Sequence, residues 1–245
     1  MKIVFSRKGF DTKFGGGASP IIGGKPVSLP IPAGNGETTT YRERGLADAV
    51  ALASRGRISG EHACHDDPMF ADGYCWLGQV NAAQGHLRNQ GVDTGDVFLF
   101  FGLFADPETG ARHHRIFGFM RVACHGAPAE IAEHPDWRAP PRHHPHLSGQ
   151  WHHNNAIWHG EGQAASYASD ALRLTANGER RWSRWAVPEW LMANRPTYLK
   201  GDWRRADEST LDTRGIWQEG VCHIGSADEP RRWLERIIAE IERDR

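Results

Sequence analysis

The run Asp96-Val-Phe-Leu-Phe-Phe-Gly-Leu-Phe104 constrains this chain more than any other. A strand with one solvated face alternates apolar and polar residues, and this one does not. It must be covered on both faces. A second apolar run, Arg115-Ile-Phe-Gly-Phe-Met-Arg-Val-Ala123, follows after a turn containing Asp106, Pro107 and Gly110. Two such runs joined by turn residues predict an antiparallel hairpin in the middle of a sheet. Lys2 to Phe5 reads as another central strand. Val27 to Ile31 reads as an edge strand, because prolines bracket it.

Helical signals flank these strands. Gly45 to Ser54 carries Leu46, Ala49, Val50 and Ala53 on one stripe and is ended by Gly56. The stretch after Gly78 suits a helix with Gln79, Ala83, His86 and Gln90 along one side. Ser226-Ala-Asp-Glu229 has the capping-box pattern and precedes Trp233, Leu234, Ile237, Ile238 and Ile241 at helical spacing. Ala156 to His159 and Ala171 to Leu174 read as short strands. The expectation is an α+β fold in one domain over residues 1–245: a mixed, mostly antiparallel central sheet flanked by helices, with an amphipathic C-terminal helix.

Composition narrows the function classes. The net charge is −1, so no global field draws the chain to a polyanion, and nucleic-acid contact must be local. No apolar run approaches the roughly 18 residues that a membrane span needs. The N-terminus enters a strand with no leader pattern, and the four cysteines lack C-x-x-C spacing, so a cytoplasmic, reduced protein is expected.

Three constellations carry chemistry. Around Asp11, the cations Arg7, Lys8 and Lys13 favour an ionised carboxylate and an anionic ligand, while a turn-capping Asp11 before Gly15-Gly16-Gly17 is the plainer account. Between Ala171 and Arg205, Arg173, Arg180, Arg181, Arg184, Arg195, Lys200, Arg204 and Arg205 alternate with Trp182, Trp185, Trp190, Tyr198 and Trp203. This is either a surface for phosphates and exposed bases or a core with solvated arginines beside it. Third, His134, His143, His144, His146, His152, His153 and His159 crowd one region. Their spacing matches no ordered ligand pattern, so neither a metal nor any other cofactor is assigned.

P-loop, dinucleotide, kinase and nucleophile-elbow motifs are missing from the sequence. What remains is a set of acids, amides and imidazoles at predicted strand ends: Asp11, His65, Asp67, Gln79, Gln84 and Asn154. Paired donors and acceptors suit a base edge. A carboxylate suits the positive charge that a sugar develops when its N-glycosidic bond breaks.

Ser6-Arg-Lys-Gly-Phe-Asp11, Gly15-Gly-Gly-Ala-Ser-Pro-Ile21, Leu29-Pro-Ile-Pro32, His65-Asp-Asp-Pro68, Gly78-Gln79, Ala83-Gln-Gly-His-Leu87 and Gly95-Asp-Val-Phe-Leu-Phe-Phe-Gly102 together resemble the nucleotide modification associated domain 3 family. The resemblance continues through His144-Pro-His146 and Asn154-Asn155. It implies a role in systems that make or attack hypermodified DNA bases, among them DNA glycosylases of antiphage defence. DNA carrying modified bases is then the partner, bound by Arg7, Lys8, Lys13, Arg181 and Arg184. Asp11 would orient water or stabilise the oxocarbenium, His65 and Asp67 would complete the catalytic pocket, and Gln79, Gln84, His146 and Asn154 would read the base or its sugar adduct. A non-catalytic reader of modified DNA and a metal-dependent nuclease are the alternatives.

Overall fold

A computed structural model describes residues 1–34, 39–106, 108–194, 196–197, 203–205, 210–213 and 219–243. The fold is α+β, built on a mixed and mostly antiparallel sheet. Its strands are β1 (Lys2–Arg7), β2 (Ser19–Ile22), β3 (Lys25–Pro26), β4 (Met69–Ala71), β5 (Tyr74–Gln79), β6 (Val97–Ala105), β7 (Arg112–Gly126), β8 (Ala156–Ala164) and β12 (Glu219–His223). They run in the order β12-β1-β6-β7-β8-β5-β4, with β2 beside β6 and β3 beside β2. The β6–β7 hairpin lies at the centre in antiparallel register, Phe98 opposite Met120 and Phe104 opposite His113. β1 runs parallel to β6 and antiparallel to β12. β9 (Arg184–Ala186), β10 (Trp203–Arg205) and β11 (Thr210–Thr213) form a separate three-stranded sheet.

The two faces of the large sheet bury different partners. On one, Ile3, Phe5, Leu99 and Phe101 pack with Trp185, Leu211 and the apolar stripe Leu234, Ile237, Ile238 and Ile241 of α5 (Asp228–Glu242). On the other, Val4, Phe98, Phe100, Met120 and Trp158 enclose Leu87 from α2 (Asn81–Asn89). Alternate residues of β6 thus serve both cores, as its unbroken apolar run requires.

The sheet is strongly curled. Four strands separate β12 from β5, so a flat sheet would hold them about 24 Å apart at 4.8 Å per step. Yet Gln79 Nε2 on β5 donates to Glu219 Oε1 on β12 at 2.5 Å. That closure places the ends of β1, β5 and β12 around one space.

Several expectations from the sequence are corrected. Val27 to Ile31 forms no ladder: Val27 N donates to the Pro20 carbonyl and Leu29 N to Ser19 Oγ, both on β2, while the Leu29 and Ile31 carbonyls accept from Phe10 N and His65 N in loops, so this proline-bracketed segment makes only scattered bonds. Gln79 ends β5, while the helix begins at Asn81 in a left-handed conformation (φ 56°). Ala171 to Leu174 starts within a 3-10 turn, Asp170–Leu172, and adds no strand. α5 has Ala227 at its N-cap, with no side-chain cap. α1 (Ala47–Ser54) forms as expected, ending in a left-handed Arg55 before Gly56.

Part of the arginine–tryptophan segment is core. Trp185 and Trp190 are buried, and Arg184 pairs with Glu179 at 2.9 Å. Arg181 is exposed. Arg195, Tyr198, Lys200 and Asp202 lie outside the described residues.

Candidate functional site

Beyond the ends of β1 and β5 lies an open cavity of about 910 Å³. Pockets that surround a small molecule span about 300–1,000 Å³. Its wall combines Arg7, Lys8 and Asp11 after β1, His65 and Asp67 before β4, Gln79 from β5, Asn81 to Ala83 at the start of α2, and His143, His146 and Trp151 from the histidine-rich loop. The sequence therefore brings together Arg7, Lys8, Asp11, His65, Asp67, Gln79 and His146, from segments far apart in the chain.

The floor is a network of charges. Ser6 and Glu219 are register partners across β1 and β12, and Ser6 Oγ donates to Glu219 Oε1 at 3.0 Å. Lys8, two residues on, places Nζ 3.4 Å from Glu219 Oε1 and 4.0 Å from Asp67 Oδ2. Glu219 has no exposed side-chain surface, and its Oε2 has no hydrogen-bond partner among the described residues. Burial pushes its pKa up to about 7 against the opposing pull of Lys8, Ser6 and Gln79.

Asp67 behaves oppositely. Burial disfavours its charge, but the facing His144 ring and the Lys8 ammonium outweigh this and hold its carboxyl well below the ordinary range. Gly78 N donates to Asp67 Oδ1 at 2.8 Å. His144 Nδ1 accepts the His146 N–H at 3.3 Å, which turns the other ring nitrogen, Nε2, toward Asp67 Oδ1 at 3.4 Å. His146 is drawn down to about 4 by burial, opposed by Asp67 and Asn155, so it is neutral at pH 7.

His146 is also held rigidly. Its ring stacks on Trp151 at 4.1 Å and 9°, and Nδ1 bonds Asn155 Oδ1 at 2.6 Å. The ring also lies so close to Gly78 that a Cβ there would be 2.1 Å from it. Only glycine permits that approach.

Asp11 combines the two accounts open from the sequence. Its Oδ1 accepts from Lys13 N and Phe14 N, both at 2.7 Å, capping the turn, and its Oδ2 pairs with Arg7 Nη2 at 3.0 Å. It still faces the cavity mouth, where Phe14 and Trp151 are exposed aromatic rings.

Five expected site residues, Lys13, Gln84, Asn154, Arg181 and Arg184, stand apart from the cavity wall. Gln84 faces the core from α2, its Oε1 accepting from Trp158 Nε1 at 3.0 Å. Asn154 bonds both backbone groups of Asn81 at 2.9 Å, so it fixes the start of α2. Arg184 is committed to Glu179. Conversely, Glu219 and Trp151 belong to the site without having been marked by the sequence, and His144 and Asn155, which the histidine cluster and the family resemblance marked without a role, join them. The one available signal was Glu219 itself, an acid in the short run Glu219-Gly-Val-Cys222 ahead of the last helix.

Fold and pocket define an α+β protein with an open, charge-lined cavity at the ends of its strands. The chain belongs to the nucleotide modification associated domain 3 family, whose model matches residues 2–223, and this ties it to modified nucleotides. No curated protein and no solved structure matches the chain. Among the described residues, no helix is long and apolar enough to cross a membrane.

Proposed function

We propose that this protein is a DNA glycosylase that takes a hypermodified base, such as glucosylated hydroxymethylcytosine, out of the duplex and hydrolyses its bond to the sugar, leaving an abasic site. The supporting observation is the floor of the cavity, where an ionised Asp67, the Lys8 ammonium and a buried acid titrating near 7 are linked within 4.0 Å contacts. N-glycosidic hydrolysis needs an attacking water, negative charge beside the developing oxocarbenium and a proton for the departing base. Asp67 meets the first two needs: it holds the water, takes up its proton and faces the sugar with its charge. Lys8 donates to the base as the C1′–N bond breaks, and Glu219 resupplies Lys8.

The remaining wall recognises the nucleotide. Gln79 spends its amide N–H on Glu219, which leaves its carbonyl oxygen to accept from a base edge. Trp151 and Phe14 offer ring faces at the mouth, and Arg7 and Lys13 offer charge for flanking phosphates. Unstacking the base costs a few kcal/mol, least where the duplex is already weakened. Asp11, already tied to Arg7 and its turn, shapes the mouth in this reading, and the water-holding role passes to Asp67.

The test is incubation with unmodified, hydroxymethylcytosine and glucosylated phage DNA, with and without EDTA, followed by mass spectrometry of released bases and alkali treatment to reveal abasic sites. Release of a modified base by the wild type, lost in Asp67→Asn while DNA binding persists, is expected. If binding persists with no base released from any substrate, the protein is a reader of modified DNA. Metal-dependent strand scission without base release would instead make it a nuclease.

A further inference from the structure

We propose that His65, Asp67 and His146 form a binding site for a divalent first-row metal ion, zinc being the reference case, with open coordination positions facing the cavity. One ligand atom from each of the three lies within 4.8 Å of the other two. Two imidazoles and a carboxylate are a donor set suited to zinc and its neighbours. Three protein ligands leave room for water, as catalytic sites do and closed structural sites do not.

The surrounding bonds orient His146 and Asp67. Asn155 Nδ2 donates to the His146 carbonyl at 2.8 Å, which fixes the amide so that its Oδ1 must accept from His146 Nδ1–H at 2.6 Å. The lone pair of His146 is thereby left on Nε2, the nitrogen a metal would take. Stacking on Trp151 and the close approach of Gly78 stop the ring from turning away. Asp67 commits Oδ1 to Gly78 N–H and, among the described residues, stands with Oδ2 outside any hydrogen bond, 4.0 Å from Lys8 Nζ. Glu219 Oε1, 3.4 Å from Lys8 Nζ, gives that ammonium a closer acceptor than Asp67 Oδ2.

The histidine-rich sequence draws attention to the wrong neighbours. His152 and His153 are exposed and outside the cavity wall, while the partner that completes the site with His146, namely His65, comes from a segment about eighty residues earlier. No linear spacing encodes this.

A bound ion of this class brings the pKa of its water toward neutrality. That use rests on the reading above, in which Asp67 holds the attacking water. The binding itself does not.

The experiment uses the full chain, stripped with chelator and titrated with Zn²⁺ and Co²⁺, with bound metal measured by mass spectrometry and Co²⁺ read from its visible spectrum. About one ion per chain is expected. His65→Gln and His146→Gln should weaken binding at least a hundredfold, and Asn155→Ala, which removes the two bonds that orient His146 but no ligand, about tenfold. His152→Ala with His153→Ala should leave it unchanged. Circular dichroism confirms that each variant is folded. The proposal is overturned if the wild type binds neither ion saturably at micromolar concentration, or if binding survives the His65 and His146 variants. Base release is scored separately: released base without bound metal sinks this site and spares the glycosylase, whereas bound metal without released base supports the site and removes the glycosylase.

Discussion

Glu219→Gln should abolish a pH dependence of stability that the wild type carries between about pH 4.5 and 7. Glutamine keeps the shape of the side chain and an oxygen to accept from Ser6 Oγ and Gln79 Nε2. In the wild type, burial lifts the Glu219 pKa from its ordinary 4.5 to about 7 in the folded protein. The folded state therefore binds this proton more tightly than the unfolded chain. Its contribution to stability is fully present below 4.5 and is lost as pH rises through 7. At 1.36 kcal/mol per pH unit, the rise is worth about 3 kcal/mol. The side chain is fully buried, so solvent does not screen this cost. In a protein of this length about 3 kcal/mol corresponds to roughly 6–12 °C in Tm. Urea unfolding of both proteins at pH 4.5, 6, 7 and 8 measures it. Asp67, with its depressed pKa, pulls the other way, but it is common to both chains, so their difference isolates Glu219. The stability gap should shift by about 3 kcal/mol in favour of the glutamine variant across the range. Parallel curves would refute the assignment of a raised pKa to Glu219 and with it the proposed proton supply to Lys8.

Three further outcomes test the rest of the site. Gly78→Ala places a methyl within 2.1 Å of the His146 ring, which Trp151 and Asn155 hold in place, so we expect a loss of about 1–3 kcal/mol in urea unfolding. An unchanged midpoint would show that the ring moves freely. Trp151→Ala should weaken binding of modified DNA by about 1–3 kcal/mol in fluorescence anisotropy, the cost of one lost stacking face, and equal affinity would remove Trp151 from the path of the base. Lys13→Ala should lower the slope of log affinity against log salt by about 0.9, whereas Arg181→Ala, away from the cavity wall, should leave it unchanged. The reverse pattern would move the phosphate track to the β9–β11 side.

The central hairpin was legible in the chain because its signal is local. Nine consecutive residues from Asp96 with hardly a polar side chain can satisfy water on neither face, whatever the rest of the protein does. The closing helix was legible for the same reason, its apolar stripe repeating at the helical period. Val27 to Ile31 looked equally strand-like, yet a ladder needs a partner in continuous register, and its bonds are divided between the start of β2 and the loops at Phe10 and His65. Tryptophan-rich composition could not separate a stacking surface from a core, since burial depends on what packs against the ring. For Trp185 and Trp190 that proved to be β1, β6 and α5.

The same division runs through the site. Residues at strand ends next to turns, Asp11, His65, Asp67 and Gln79, could be picked out because glycine and proline mark where a strand must stop. Their ranking could not. Asp11 and Asp67 are the same residue type in similar loops, and they differ because Asp11 is spent on backbone N–H groups and Arg7, while Asp67 is buried between Lys8, His144 and Gly78. Glu219 became part of the floor only when the sheet curled far enough to bring β12 against β5. That curvature is a property of many strands twisting together, and no stretch of sequence carries it alone.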